Sequence, residues 1–183
     1  MNTENVQDFI LKNPRNLSIA AAVCDAWPQA RRELIADFCK RLKAALQRKL
    51  KGWETEWDEN FFTERYAGFA IWKPAWKHCA VRLECFDYGE KMIFGVARTE
   101  DPKLKRNISD ELLAAVKKTF PSARARTYWA ADITMNTPAK DWRKPEVLWR
   151  VHKDQIFLKE VVEQLLEVAK ISEPILARLA RKR

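Results

Sequence analysis

Tryptophan and lysine interleave in one short segment, residues 72–77, which reads Trp-Lys-Pro-Ala-Trp-Lys. Indole rings flanked by cations are the groups with which proteins stack unpaired bases and neutralise phosphates. We therefore predict that Trp72 and Trp76 stack bases and that Lys73 and Lys77 contact phosphates. The sequence leaves an alternative open, in which the indoles pack over the edge of a sheet.

Basic residues are also concentrated elsewhere in the chain. Residues 40–51 hold six basic residues and no acidic one, residues 53–64 hold five acidic residues and no basic one, and residues 178–183 hold four basic ones. The whole chain has 34 Lys and Arg against 25 Asp and Glu, a formal charge of +9. This uneven basic balance suits a polyanionic partner such as nucleic acid, although a solvated helix face that serves solubility is the alternative. The phosphate contacts predicted in the first basic block are Lys40, Lys43 and Lys51.

Carboxylates beside a lysine are a third group that could do chemistry, because such a cluster holds Mg²⁺ in a nuclease. One set, Glu84, Asp87 and Glu90, surrounds a predicted turn, and the other is Asp-Pro-Lys at 101–103. The first set spreads over both faces of the turn, and a rigid proline interrupts the second. The sequence also lacks G-x-S-x-G and H-E-x-x-H motifs. We therefore predict no catalytic residue, while a divergent Mg²⁺-dependent nuclease remains an alternative.

Cysteines and histidines give no pattern typical of a metal site. There is no C-x-x-C pair and there are only two histidines, so we expect neither a metal nor a cofactor. No apolar run approaches 18 residues, and the N-terminus lacks a basic region followed by an apolar stretch. We therefore expect a cytoplasmic protein without a membrane span, in which the cysteines are reduced and mostly buried. The cysteines are Cys24, Cys39, Cys79 and Cys85.

The first third of the chain reads as helical. We predict helices over residues 4–12, from Asn16 or Ser18 to about residue 26, and over residues 29–50, with Pro28 in the first turn of the third. The third is the clearest, because its apolar residues recur at spacings of three and four. Its apolar positions include Leu34, Ile35, Phe38, Leu42 and Leu46.

Strands follow, because the apolar period changes to two from about residue 66. Residues 78–86 and 90–98 alternate apolar and polar positions on either side of a turn at residues 87–90, which predicts a hairpin. Only one register aligns apolar residues with apolar residues on one face. That register pairs Cys85 with Met92, Leu83 with Phe94 and Val81 with Val96.

The last third mixes helices and strands. We predict a helix over residues 110–119 capped by Ser109, a strand over residues 127–134, and a strand over residues 146–152. A long helix begins at Asp154 and is broken or kinked at residues 172–174. In the two strands, Trp129 shares a face with Ala131 and Ile133, and Trp149 lies in an apolar row, so both indoles are predicted to lie in the core.

The order of these elements predicts an α+β fold. Its sheet is mainly antiparallel, with four to five strands, and is flanked by an N-terminal helical segment and a long C-terminal helix. We expect one domain over residues 1–183. Its parts are a helical N-terminal part (1–52), a sheet with one inserted helix (66–152) and C-terminal helices (153–183).

A family resemblance rests on the succession of these elements. The helical stretch AAAVCDAWPQARRELIADFCKRLKAAL is followed by KGWETEW, GFAIWKPAW, a strand AVRLECFD and a strand MIFGVAR. Over about residues 17–170 this resembles the α+β region after the catalytic core in some prokaryotic PD-(D/E)XK nuclease-superfamily proteins. The superfamily's motif, an Asp on one strand and (D/E)-x-K on the next, has no counterpart here, since Asp-Pro-Lys at 101–103 lacks the strand context. The resemblance implies an accessory or stand-alone module of a DNA-processing, defence or mobile-element system, without a catalytic residue to carry over.

The sequence thus predicts a non-catalytic nucleic-acid-associated module. We expect its lysines to share one positive face on which Trp72 or Trp76 is partly exposed. The alternative is a protein-interaction module that docks a partner through the acidic ridge of Trp53 and Trp57 or through the C-terminal helix.

Overall fold

The computed structural model describes residues 3–61, 64–76, 79–98, 106–136 and 138–181. The helices are α1 (Thr3–Leu11), α2 (Pro14–Gln47), α3 (Arg106–Thr119), α4 (Pro145–Lys153) and α5 (Gln155–Arg181), and the strands are β1 (Glu54–Trp57), β2 (Gly68–Trp72), β3 (Cys79–Phe86), β4 (Lys91–Arg98), β5 (Arg124–Arg126) and β6 (Trp129–Thr134). The strands form one antiparallel sheet in the order β1-β2-β3-β4-β6-β5. The predicted α+β class is confirmed. The sheet has six strands rather than the predicted four to five: it includes two short edge strands that were not predicted, β1 and β5, and it lacks the strand predicted over residues 146–152.

The central hairpin has the predicted register. Cys85 pairs with Met92, Leu83 with Phe94 and Val81 with Val96, and all six residues are buried. The turn between the strands has positive φ at Asp87 (55°), Tyr88 (55°) and Gly89 (89°), and the Glu90 backbone N–H donates to the Asp87 carbonyl oxygen at 3.1 Å. The alternation of apolar residues therefore predicted the register of β3 and β4 correctly.

The helices cover one face of this sheet, which we call the helix face. Its residues, such as Phe69, Leu83 and Phe94, belong to the main core cluster, and so does every buried apolar helix residue in the described ranges. On the opposite face, the open face, Ile93 and Trp129 belong to a small cluster of strand residues alone. Among the described elements, no helix therefore contributes to the apolar cluster on the open face.

The prediction of a strand over residues 146–152 is wrong, because this segment lies in α4. Val147, Leu148 and Val151 are buried, which is a helical spacing, whereas Trp149 is 66% exposed. Pro145 occupies the first turn of the helix, where its missing N–H removes no hydrogen bond. The apolar segment is short enough to fit either the period of two of a strand or the period of 3.6 of a helix. The predicted burial of Trp149 is wrong because it assumed a strand.

The N-terminal half also differs from the prediction. The second and third predicted helices form one helix, α2, which continues through Pro28. The proline removes one helix hydrogen bond and its ring crowds the carbonyl four residues earlier, but this part of α2 is exposed, where water can solvate the freed carbonyl. The N-cap is Asn13, whose side chain accepts a hydrogen bond from the Asn16 backbone N–H at 2.9 Å, rather than Asn16 or Ser18.

A β-bulge moves Trp129 to the other face of the sheet. The pairing of β4 with β6 shifts between Val96 and Ala97, so that Trp129 lies opposite Ala97 while Ala131 lies opposite Val96. Trp129 is buried as predicted, but on the open face rather than beside Ala131 and Ile133. Alternation alone gives no signal for such an extra residue.

The helix boundaries in the last third are partly as predicted. Asp154 caps α5, since its Oδ1 accepts from the backbone N–H of Ile156 at 2.8 Å and of Phe157 at 3.2 Å. The predicted break at residues 172–174 is wrong, because α5 runs on through Pro174 to Arg181. Ser109 is not a cap, since α3 begins three residues earlier. Within the described ranges, none of the helices combines the length and apolar character needed to cross a membrane.

Candidate functional site

Two of the predicted binding residues, Lys73 and Trp76, lie in a packed cluster at the end of β2. Trp76 is 6% exposed and lies edge-on against Trp53, with ring centroids 4.6 Å apart. The Lys73 ammonium lies 5.7 Å from the Trp53 ring centroid and forms an ion pair with Glu173. Since Trp76 is almost fully enclosed, it offers no free ring face to a base. Lys77 lies outside the described residues.

Of the lysines predicted in the first basic block, Lys40 and Lys43 belong to α2 and Lys51 follows it. The Lys43 ammonium is 5.6 Å from the ring centroid of Trp57, which stacks in parallel on Phe69, a helix-face residue. Lys40 and Lys51 are exposed. The structure therefore brings Lys43 to Trp57 and Lys73 to Trp53. The binding role of these lysines stays a prediction.

Trp72, the remaining predicted residue, lines a groove of about 380 Å³ along β1, β2 and β3. The groove is lined by small residues, among them Gly68 and Ala70. A Cβ at Gly68 would stand 2.4 Å from the carbonyl oxygen of Leu83, so this position requires glycine. Trp72 is half-buried and offers an indole to a ligand there, whereas Arg82, which also lines the groove, is paired with Asp58 at 3.4 Å and with Glu84 at 3.5 Å. Glu56 and Asp58 are the carboxylates that line the groove.

Cations surround an aromatic ring on the open face. The Phe86 ring centroid lies 5.5 Å from the Arg65 guanidinium carbon, 5.7 Å from the Lys91 ammonium nitrogen and 5.4 Å from the Arg126 guanidinium carbon. We call this set, together with Arg124, the cation cluster. Its members come from β3, β4, β5 and the segment before β2; strand pairing brings the β3, β4 and β5 residues together, and Arg65 pairs with Asp87 in the turn after β3.

A buried carboxylate anchors the cation cluster. Asp132 has no exposed surface, and its carboxylate oxygens lie 2.7 Å from Arg126 Nε and 3.4 Å from Arg124 Nε. Burial lowers the pKa of Lys91, and the charges of Arg126, Arg124 and Lys140 lower it further, while Asp132 alone raises it. Asp132, together with Asp87 beside Arg65, thus balances only part of the charge of four cations, which leaves a positive excess that favours anions.

The carboxylates around the β3–β4 turn are dispersed. Asp87 pairs with Arg65 at 2.8 Å, and Glu90 pairs with Arg143 at 3.1 Å. Glu84 is 4% exposed on the open face, 3.5 Å from Arg82. Within the described ranges, no group of three or more His, Cys, Asp or Glu residues is placed to hold a metal ion. Residues 101–103 lie outside those ranges.

Burial sets the protonation of Glu84. It raises the pKa of this carboxyl to about 7, Arg82 lowers that value, and Asp58 and Asp132 raise it. The open face therefore carries a carboxyl group that changes charge near neutral pH, within reach of Arg82 on one side and of Asp132 on the other. Its loss of a proton weakens the positive potential of this face.

Sequence reasoning missed most of the open face. Arg82 and Phe86 alternate with the apolar row of β3, so their shared outward side was readable from the period of two. Arg124 and Arg126 belong to a strand of three residues, which is too short for alternation to predict. Their contact with Asp132 depends on the pairing of β5 with β6.

Comparison with known proteins gave no match among protein-family models, curated proteins or solved structures. The resemblance to the nuclease-associated region stays a prediction, and the function has to be argued from the chemistry of the open face.

Proposed function

We propose that this chain is a non-catalytic nucleic-acid-binding module that binds a single-stranded segment across the open face of its sheet. The observation that supports it is the excess of cations over aspartates around Phe86, on a sheet face whose apolar cluster receives no residue from the described helices. Open antiparallel sheets that combine aromatic rings with cations suit splayed single strands, because bases stack on the rings while phosphates meet the cations.

The groove and the cation cluster lie side by side, so one strand can use both. The register aligns Ala70, Arg82, Gly95 and Asp132 in a single row across β2, β3, β4 and β6. Three strand spacings of about 4.8 Å make this row about 14 Å long. A strand of several nucleotides that stacks one base on Trp72, two residues beyond Ala70, can therefore extend along this row and place a phosphate further along the strand beside the cations at its other end.

The resemblance noted in the sequence adds a context to this proposal. A module that accompanies PD-(D/E)XK nucleases in DNA-processing, defence or mobile-element systems works beside nucleic acid. The divergent nuclease is the weaker reading, since the described carboxylates are held apart by separate arginines.

Salt dependence of binding to a short single strand, DNA or RNA, tests the phosphate contacts. The double variant Lys91→Gln/Arg124→Gln removes two cations and leaves Arg126 paired with the buried Asp132. We expect it to lower the slope of log affinity against log salt by about 1.4, at about 0.7 per phosphate contact on a single strand. The matched control is Lys117→Gln/Lys118→Gln, which removes the same charge from exposed positions of α3 and leaves the slope unchanged.

Stacking on Trp72 is tested in the same titration. Base–aromatic stacking contributes about 1–3 kcal/mol, so Trp72→Ala is expected to weaken binding about tenfold or more. Trp149→Ala removes an exposed indole of α4 and serves as the control. If the triple Gln variant of Lys40, Lys43 and Lys51 loses affinity and the open-face variants keep it, the binding surface is the α2 side and our assignment is wrong.

A protein-interaction role is the second candidate, on a surface other than the predicted ridge of Trp53 and Trp57. Trp53 and Trp57 are half-buried against Trp76 and Phe69, so their ridge is largely occupied. What favours this candidate is the exposed apolar surface of the first two helices.

A further inference from the structure

The first two helices form an arm, which we define as residues 3–30. Helix α1 folds back on α2, and the Asn16 side-chain amide donates to the Phe9 carbonyl oxygen at 2.6 Å. The first buried residue of α2 is Ile35, 21 residues after Pro14. At 1.5 Å per residue, this leaves about 30 Å of α2 before the body of the protein encloses it.

The apolar face of α2 continues from the body into the arm. Residues 18 apart on an α-helix are five turns apart and lie on the same face. Three such pairs join an arm residue to a buried body residue: Leu17 to Ile35, Ala20 to Phe38, and Cys24 to Leu42. The core of the protein thus covers this apolar face in the second half of α2. In the first half, only the contact with α1 covers it.

The arm exposes a large apolar area. Seven of its large apolar side chains are between 38% and 75% exposed: Val6, Phe9, Leu11, Leu17, Ile19, Val23 and Trp27. With roughly 100 Å² each, they offer on the order of 700 Å², close to the about 800 Å² that each partner buries in a standard protein interface. Monomers rarely leave a patch of this size in water.

The charge of the arm differs from that of the rest of the chain. Residues 3–30 hold three acidic and two basic residues, a net charge of −1, so the remainder of the +9 chain carries +10. Between Leu17 and Trp27 the only charged residue is Asp25. A surface of this kind has no positive potential for a polyanion and no charge pattern that selects a different protein.

We propose that the arm binds the arm of a second copy of this chain. Two helical hairpins that pair through their apolar faces form a four-helix bundle about a two-fold axis, and each contact is then made twice. The length of the arm makes such pairing compatible with the charge of the body. Bodies carrying +10 stand well beyond the screening length of about 8–10 Å when they are joined at the ends of arms about 30 Å long.

Sedimentation equilibrium of the full chain tests this proposal with two variants at neighbouring positions. Val23 is 59% exposed on the apolar side, whereas Ala22 shares its helix face with the exposed Ser18, Asp25 and Gln29. We expect wild type and Ala22→Glu to approach twice the monomer mass of 21.5 kDa as concentration rises. Val23→Glu is expected to raise the dissociation constant at least about tenfold, because a carboxylate would be buried without a partner.

Alkylation of the exposed Cys24 gives an independent readout on the same arm. We expect its rate to fall with increasing protein concentration in wild type and in Ala22→Glu, and to stay constant in Val23→Glu. Circular dichroism checks that both variants keep their helices. A wild type that stays monomeric at all concentrations, or equal association of the two variants, overturns the proposal. Neither result bears on the open face, because the arm carries none of its residues.

Discussion

Replacing Glu84 with glutamine should stabilise the protein at neutral and alkaline pH. The pKa of this carboxyl is raised from 4.5 to about 7, chiefly by burial and also by Asp58 and Asp132. Between these two values the folded chain holds a proton that the unfolded chain has released. The free energy of unfolding therefore falls as pH rises from 4.5 to about 7, and the loss is complete above that range.

The size of the effect follows from the difference between the two pKa values. At about 1.4 kcal/mol per pKa unit, the ionised Glu84 costs the fold about 3 kcal/mol at about pH 8 and nothing below its unfolded pKa. In Glu84→Gln this penalty is absent, and Arg82 keeps its second partner, Asp58, at 3.4 Å. For a chain of this length the gain corresponds to a rise in melting temperature of roughly 6–12 °C.

Urea denaturation followed by tryptophan fluorescence, from about pH 4 to about pH 8, measures this difference. The stability of Glu84→Gln relative to wild type should grow with pH and level off near pH 8. Glu90→Gln, at an exposed glutamate 3.1 Å from Arg143, is the control and should stay within about 0.5 kcal/mol of wild type. A Glu84→Gln protein that is less stable than wild type at pH 8 would show that Arg82 holds the carboxylate ionised, and would refute the reasoning.

Two further predictions concern the backbone of the sheet and the thiols. Gly95→Ala should cost at least about 3 kcal/mol, because its φ is +148° and a Cβ would stand 2.1 Å from the Ala131 carbonyl oxygen; Gly52→Ala, at φ +75° in open space, should cost only about 1 kcal/mol. Equal losses in urea denaturation would contradict this. In dilute native protein a maleimide reagent should modify Cys24 alone and reach all four cysteines only on unfolding, since the other three are buried and burial raises the pKa of two of them to about 12. A second thiol that reacts at the rate of Cys24 in the native state would count against this.

The sequence alone was sufficient where a long element carries a regular pattern. The eight-residue strands β3 and β4 alternate strictly enough that one register satisfies every apolar pair, including Leu83 with Phe94. Asp154 caps α5 through contacts with residues two and three positions later, which are local in sequence. In both cases the information lies within one element or one hairpin, where the spacing of side chains determines which of them meet.

Tertiary structure decided which faces are covered. Trp149 falls in an apolar row and is exposed, because its segment completes a helix rather than a strand. Trp76 falls in a basic, aromatic segment and is buried, because Trp53 packs against it. An apolar period of two or of 3.6 residues indicates that a segment has an apolar and a polar face. Which face is buried depends on what the rest of the chain packs against it.

The candidate site depends on long-range pairing in the same way. Composition and charge distribution predicted a basic protein with exposed cations, and the sequence placed Arg82 on the outward side of its strand. The cation cluster exists because β6 lies between β4 and β5, which brings Asp132 beneath Arg124 and Arg126, and because a bulge shifts that pairing. Arg65 and Arg126, which are about 60 positions apart in the sequence, both lie beside the Phe86 ring. Spacing along the sequence cannot predict contacts between residues so far apart, so only the folded sheet shows them.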